Sequence, residues 1–594
     1  MATASTNLLL SDKQSPASPK QHLAIAFLLV VLASVLPYLA SLRYGFVYDD
    51  DRQVMQNPAI QAWHFFPSYF ARPTMATAHY YRPLFLLWLK LNYSLWALKP
   101  WGWHLTNIAL HTLVSLMVFL LLRQYFRETW FAAAGALPFA VHPVHVETVA
   151  WISGCTDTLM AIGLLGSLYF WMRSPNGVRS LYGLISLVFF ALALLAKETA
   201  AILPLFIFSH SLAAVPSTQP MPETKGSLAP RLLTALWQSM PYWGLTALYL
   251  LARSLALRHL APIPEWIYRS HALLTIPELL LFYLQHLLHP VNLSPLYDLP
   301  VVSSPASLCF WVPLALFLAL LVVACALYGR LRDRRIALAV LWFVLPLAPV
   351  LYIRTFQRDD WAHDRYLYLP LLGLSILVGI VAEHLFGSRW GKILRSPAVA
   401  TFCLLIIFLG VVSSLEAQPW QSNLALYANA LRIAPKNTIA MNNLAGQYIE
   451  IGRLPEAAQL LQSTLAARPD MWLANYNFAF LNYRVGRLSV AEDYFTRAIR
   501  VDPTDPDEHV YLGLTYFKQG RLQEAADQVR QGITRKPDGV GYHVALGIIE
   551  QQQGNLASAK NDILAELAYY PDSVFARTQL QAIQAQLAAA AASH

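Results

Sequence analysis

From His22 to residue 415 the chain is a succession of apolar runs separated by short polar loops, and past Gln418 those runs stop. This distribution limits the fold more than any motif does. About 20 apolar residues suffice to cross a bilayer core as a helix, and within the core only helices and closed barrels satisfy their own backbone polar groups. With 56% hydrophobic and 13% charged residues among 594, and a mean hydropathy of +0.41, a single soluble globule is excluded. The pattern predicts eleven spans, near 22–42, 103–122, 130–141, 156–172, 181–196, 199–212, 231–252, 308–328, 336–353, 366–386 and 397–415. The first run has no small-residue cleavage site and is followed by many more, so it reads as a retained span rather than a signal peptide. Residues 1–21 read as a disordered cytoplasmic leader.

An odd number of spans puts the two termini on opposite sides, and loop charge agrees. Arg123 and Arg127, Arg173 and Arg179, Lys225 and Arg231, the 330–335 loop, and Arg389, Lys392 and Arg395 all fall on the N-terminal side. Much of the net charge of +9 therefore reports topology, and no nucleic-acid partner is expected. One further apolar run, 273–289, breaks the parity: counted as a twelfth span, it would move the 330–335 loop to the wrong face. It also carries Glu278, Gln285, His286 and His289, and it reads as a re-entrant or interfacial helix inside an external loop covering 254–307. The aromatic segment from Tyr80-Tyr-Arg-Pro83 to about Leu98, interrupted by Lys90 and Asn92, reads as an interfacial helix. The four cysteines lie in or beside apolar segments and form neither a disulfide framework nor a zinc spacing.

Beyond Gln418 the chain repeats. Pro435, Pro469, Pro503, Pro537 and Pro571 recur every thirty-four residues, as do Gly452, Gly486, Gly520 and Gly554, and Ala457, Ala491, Ala525 and Ala559. This is the tetratricopeptide period. Each unit has a Gly at the turn between two helices, an Ala where the helices meet and a Pro that ends the second helix. Residues 419–594 thus read as a half unit (420–434), four full units (437–572) and a capping helix, a stack expected to form a concave groove for a protein acceptor or partner.

Chemistry-bearing residues gather on the face opposite the N-terminus. Asp49, Asp50 and Asp51 emerge just past the first span, where a lipid-linked substrate presents its headgroup. Arg82, His142-Pro-Val-His145 with Glu147, Asp157, Lys197-Glu198 and His363-Asp-Arg365 fall on the same face. Charges at span ends are costly unless paired or used, so their recurrence on one face is informative. Each also has a structural reading. The acidic triplet can be a solvated turn, Lys197 and Glu198 snorkelling residues at a hinge, and Arg365 an interfacial anchor. His142 and His145 suggest a metal site, but Pro143 breaks the helix that would align them and no thiolate is near, which favours a hydrogen-bonded structural pair.

Taken in order, these blocks resemble a family. Phe46-Val-Tyr-Asp-Asp50 with Asn57-Pro58, Tyr81-Arg-Pro-Leu84, Leu91-Asn-Tyr93 and Trp103-His-Leu-Thr-Asn-Ile-Ala-Leu-His111 are similar to the transmembrane and tetratricopeptide-repeat protein O-mannosyltransferases. So are Phe139-Ala-Val-His-Pro-Val-His-Val-Glu147, Leu195-Ala-Lys-Glu-Thr199 and Arg365-Tyr-Leu-Tyr-Leu-Pro370, and the repeats follow the last span as they do in that family. The resemblance covers nearly the whole chain. It implies an all-α fold, a polytopic helical bundle of the C-type glycosyltransferase superfamily (residues 22–418) followed by a repeat solenoid.

The resemblance also implies function: a polyprenyl-phosphate sugar donor as co-substrate, a mannose-like sugar, and inverting transfer to an acceptor hydroxyl such as protein Ser or Thr. The essential Asp of the family's first external loop falls on Asp49 or Asp50. At Gly154-Cys-Thr-Asp157 this chain departs from the family, since relatives more often carry Arg in place of Cys155; Asp157 still matches. One carboxylate would take the acceptor proton, while Lys197, Arg82 or Arg365 would stabilise the departing phosphate, with His142, His145, Glu147, Asp157 and Glu198 completing the substrate site. No divalent metal or other cofactor is expected. Two alternatives remain, an O-antigen ligase or polymerase type of glycan transferase and a non-enzymatic membrane-anchored repeat scaffold. The chain does not end in a lysine-aspartate-glutamate-leucine type signal, which points to a bacterial inner membrane rather than the endoplasmic reticulum, with the repeats periplasmic or lumenal.

Overall fold

The computed structural model describes residues 18–74, 80–174, 177–213, 228–257, 266–387 and 391–592. The residues of the expected leader before Ser18, together with Lys225 and Arg389, lie outside this set. Among the described residues there are helices and no strand, only an isolated bridge between Gln357 and Asp360. The chain divides into two compact units, Met1–Leu426 and Tyr427–His594.

In the first unit α1 (Pro19–Val35) continues as a 3-10 helix, Leu36–Arg43. Then come α2 (Pro83–Trp96), α3 (Pro100–Tyr125), α4 (Thr129–Val141), α5 (Val146–Ala150), α6 (Thr156–Met172), α7 (Leu181–Ala196), α8 (Leu203–Ala213) and α9 (Leu228–Leu257). The unit closes with α10 (Arg269–Leu288), α11 (Leu308–Leu331), α12 (Arg335–Leu347), α13 (Leu371–Gly387) and α14 (Gly391–Ala417). Each of the eleven expected spans corresponds to a helix. Among the described residues, six helical segments are by length and composition able to cross a membrane, among them Pro19–Arg43, Pro100–Tyr125 and Leu308–Leu331, beside shorter apolar helices. This is a multi-pass membrane bundle. α6 and α7 pack closely because Gly163 lies against Ala193, where an added Cβ would come within 2.6 Å of the alanine methyl. Ser167 and Ser186 share a hydrogen bond of 3.0 Å across the same pair, and Ser186 reaches Tyr242 of α9 at 2.6 Å.

α10 has the length and hydropathy of a span, and hydrogen bonds anchor both of its ends. Trp266, just before it, donates to the Phe356 carbonyl at 2.7 Å; at its other end the Leu287 carbonyl meets His142 at 3.1 Å. Asn292 and Leu293 then donate to the carboxylate of Glu416, each at 2.9 Å. α2, read as interfacial, buries Lys90, whose ammonium donates to the Gln61 carbonyl at 3.0 Å, and packs on α3 and α7.

The second unit is a run of helix pairs. After α15 (Asn423–Ile433) they are α16 (Thr438–Glu450) with α17 (Leu454–Ala467), α18 (Trp472–Arg484) with α19 (Leu488–Val501), α20 (Pro506–Lys518) with α21 (Leu522–Arg535), and α22 (Tyr542–Gln552) with α23 (Leu556–Tyr569), closed by α24 (Val574–Ala592). Gly452, Gly486, Gly520 and Gly554 turn each pair with φ of +82°, +78°, +80° and +83°, a conformation open to glycine and strained for other residues. Ala457, Ala491, Ala525 and Ala559 are fully buried where the helices meet. Trp420 and Leu426, at the start of the expected half unit, pack in an apolar cluster of the first unit with Tyr44, Val47 and Trp151.

Candidate active site

The loops that emerge from α1, α4, α7 and α12 converge on one end of the bundle and bring the sequence-selected charges together. Asp49 and Asp50 are neighbours in sequence with opposite surroundings. Asp50 is fully buried: Oδ2 accepts from the Val47 amide at 3.0 Å, and Oδ1 accepts from the Ser153 amide at 2.9 Å and hydroxyl at 2.6 Å. Burial pushes its carboxyl up to about 7 against the pull of those hydrogen bonds. Asp50 therefore clamps the first external loop onto the 151–155 turn, with both of its oxygens hydrogen-bonded and buried.

Asp49 is exposed, and among the described residues its side chain accepts one hydrogen bond, a long one from Gln53 at 3.4 Å. It sits in a crowded recess rather than on an open surface. The surrounding protein pushes its carboxyl above the usual carboxylate range, and Asp360 adds to the effect while Arg365, Arg52 and His363 oppose it. A solvent-reached acid with a raised value, facing an arginine, is what a general base requires. Asp51 instead binds Gln56 at 2.8 Å, away from this group.

Each of the three selected cations has its own carboxylate. Arg82 grips Glu198 with two parallel bonds, Nε to Oε2 at 3.0 Å and Nη2 to Oε1 at 2.6 Å. Lys197 sits in extended backbone at the end of α7, and its ammonium reaches both oxygens of Asp157 at 2.7 and 2.8 Å, with both side chains almost wholly buried. Arg365 donates to Glu147 through its amide at 3.0 Å and through Nη1 at 2.5 Å, with its guanidinium over the rings of Trp151 and Tyr366. A cavity opens among Asp157, Lys197, Thr199, Arg365, Tyr366 and Tyr368. Two cations and hydroxyl-bearing side chains around one space suit a phosphate group.

His363 and Asp364, already singled out beside Arg365, are joined in the cluster by two residues that were not, Asp360 and Ser153. His363 lies 3.5 Å from Glu147 and 3.3 Å from Asp360. Burial would raise the Asp360 carboxyl, but the hydrogen bond and charge of His363, with Arg365, hold it below the ordinary range. Asp364 is turned inward to Tyr297 at 2.5 Å and the Ser294 amide at 3.2 Å. Ser153 stands directly before the Gly154-Cys-Thr-Asp157 block, and only that adjacency could have flagged it; nothing in the sequence marks Asp360.

His142 and His145 were grouped with the substrate residues, yet both are buried in the bundle. His142 meets the Leu287 carbonyl and the Val144 amide, and burial holds its ring neutral, down to about 4. The ring of His145 packs among His111, Phe139 and Tyr368, with centroids 5.3, 4.6 and 4.4 Å away. Among the described residues no group of three or more His, Cys, Asp and Glu side chains is disposed to hold a metal ion.

The family profile described as "Dolichyl-phosphate-mannose-protein mannosyltransferase" matches residues 81–243, a stretch that includes Arg82, Glu147, Asp157, Lys197 and Glu198. Two tetratricopeptide-repeat profiles match residues 416–476 and 476–540. The human protein O-mannosyl-transferase TMTC1 is 28% identical over 487 residues, covering 74% of this chain and 54% of the human one. Human TMTC3 is 25% identical over 510 residues, covering 78% and 54%. The Tmtc1 protein of Drosophila melanogaster reaches 36% over 178 residues, covering 28% of this chain and 20% of its own. The chain spans about half the length of the full-length relatives it matches. Its matched segments, the order of its blocks and the repeats after the last span agree with one another: the chain is similar to the transmembrane and tetratricopeptide-repeat protein O-mannosyltransferases.

Proposed function

We propose that this protein transfers a mannose-like hexose from a polyprenyl-phosphate donor to an acceptor hydroxyl, in the form of a protein Ser or Thr, with inversion at the anomeric carbon. The observation that carries this reading is Asp49, a solvent-reached carboxylate without a charged partner of its own, beside Arg365 and the cavity that Arg365 shares with Lys197. In this mechanism Asp49 takes the hydroxyl proton as the acceptor oxygen attacks the anomeric carbon, the bond from that carbon to the phosphate oxygen breaks, and the lipid phosphate leaves with the bonding pair. Two donors of the Lys197 ammonium go to Asp157 and a third remains for the phosphate; Arg365 gives one terminal nitrogen to Glu147 and keeps others. These cations meet the charge that develops on the leaving oxygen, where preorganised donors act most strongly. Arg82, locked to Glu198, supports the same wall.

In this reading the active face is periplasmic or lumenal, the N-terminus is cytoplasmic, and the repeat groove presents the acceptor. The test is transfer by the full chain in vesicles. Polyprenyl-phosphate mannose is expected to label a Ser/Thr-bearing protein acceptor, whereas a lipid-pyrophosphate glycan or a nucleotide sugar is not; labelling only from the pyrophosphate would replace this reading with the ligase one. Truncation after Leu426, which keeps the 420–426 segment on its bundle, is expected to preserve donor binding and to reduce transfer to a folded protein. Undiminished transfer would deny the array its acceptor role.

A further inference from the structure

The turn that presents Asp49 is held by a segment almost four hundred residues away. Tyr48 adopts φ of +60°, the left-handed region that a bulky side chain rarely enters and keeps only where its surroundings over-determine it. Its amide donates to Asn423 Oδ1 at 2.7 Å, and the Gly45 amide donates to the Gln421 carbonyl at 3.3 Å. The Tyr48 ring packs edge-on against Trp151, with centroids 5.3 Å apart, and against Trp420, with centroids 6.5 Å apart, and the two indoles stack at 6.3 Å. On the other side of Asp49, the bonds of Asp50 to Ser153 and Val47 fix the next residue. The peptide on each side of Asp49 is therefore pinned, one by the 151–155 turn and one by the segment after the last span.

We infer that Asn423 is a positioning residue for Asp49: it holds the Tyr48 amide and with it the left-handed turn that aims the carboxylate. If that acceptor is lost, Tyr48 can relax into the extended region, which rotates the peptide joining it to Asp49 and carries the carboxylate off its line to the acceptor hydroxyl. The phosphate cavity stays as it was, because Lys197, Asp157 and Arg365 come from other loops. The inference rests on the transferase reading above and adds to it a residue that neither the motifs nor the matched mannosyltransferase segment contains.

The test compares the full chain with Asn423→Ala, Asn423→Asp and the double variant Tyr48→Gly with Asn423→Ala. Asn423→Ala is expected to lower kcat by ~10²-fold, the scale of a misplaced reacting group, and to leave the KM for polyprenyl-phosphate mannose within about threefold. Asn423→Asp keeps an acceptor oxygen and is expected to restore most of kcat. Glycine at 48 accepts the turn without strain and is expected to recover part of it in the Asn423→Ala background. Parental kcat in Asn423→Ala, with Asp49→Asn inactive in the same assay, overturns this inference alone. Equal loss in the alanine and aspartate variants, or a loss of donor KM or of folded protein that matches the loss of kcat, also overturns it, since the residue would then hold the fold and not the carboxylate. No transfer from any lipid-phosphate donor by the parent chain overturns the underlying reading instead.

Discussion

Asp49→Asn is expected to lower turnover by roughly 10²–10⁴-fold while donor binding and folded yield persist, because an amide cannot take the acceptor proton and the exposed side chain supports little else. Asp50→Asn fails in a different way. An amide can accept at only one atom, so one of the donors at Val47 and Ser153 loses its acceptor inside the protein, at a cost of about 1–3 kcal/mol in stability, and the loop loosens with it. The pH profile carries a sign. A base must be ionised, and the Asp49 carboxyl titrates above the usual carboxylate range, so kcat is expected to fall on acidification before an ordinary aspartate would take its proton. Wild-type turnover in Asp49→Asn would remove the base from the mechanism.

The second large effect lies in the buried Lys197–Asp157 pair, where neither partner is more than a few per cent exposed. Removing one leaves the other charged and without compensation, which costs about 3–5 kcal/mol, whereas exchanging both for apolar side chains of similar volume is close to neutral. Asp157→Ala and Lys197→Met are therefore each expected to lower thermal stability and yield sharply. The double variant Lys197→Met with Asp157→Leu recovers most of the stability but none of the donor affinity, because the phosphate cavity has lost one of its cations. Thermal unfolding alongside donor binding separates the two effects. A stable double variant that still binds donor with parental affinity would deny Lys197 its place at the phosphate.

The repeats were legible from the sequence because their determinants are local: a glycine at a left-handed turn and an alanine at a helix contact carry their own spacing. The bundle was legible helix by helix for the same reason; loop-charge parity set α10 apart as an expectation, while its length and hydropathy are those of a span. The site was legible only in composition. Arg82, Lys197 and Arg365 could be listed, but their partners lie 116, 40 and 218 residues away in the chain, and no spacing rule predicts such pairs. Asp49 and Asp50 are the same residue type side by side, and what separates them is a backbone turn at Tyr48 and a serine one hundred and three positions on. For the histidines the spacing alone left a ligand site and a structural pair open; Pro143 favoured the pair, and His142 does meet a carbonyl while His145 packs among aromatic rings.

The most direct test of the mechanism is the anomeric configuration of the product made from β-configured polyprenyl-phosphate mannose, read by NMR of the glycosylated acceptor. Direct attack by a hydroxyl deprotonated by Asp49 predicts an α-linked product from the full chain and none from Asp49→Asn. A β-linked product would contradict the single inverting displacement, and undiminished α-linked product from Asp49→Asn would contradict the assignment of Asp49 as its general base.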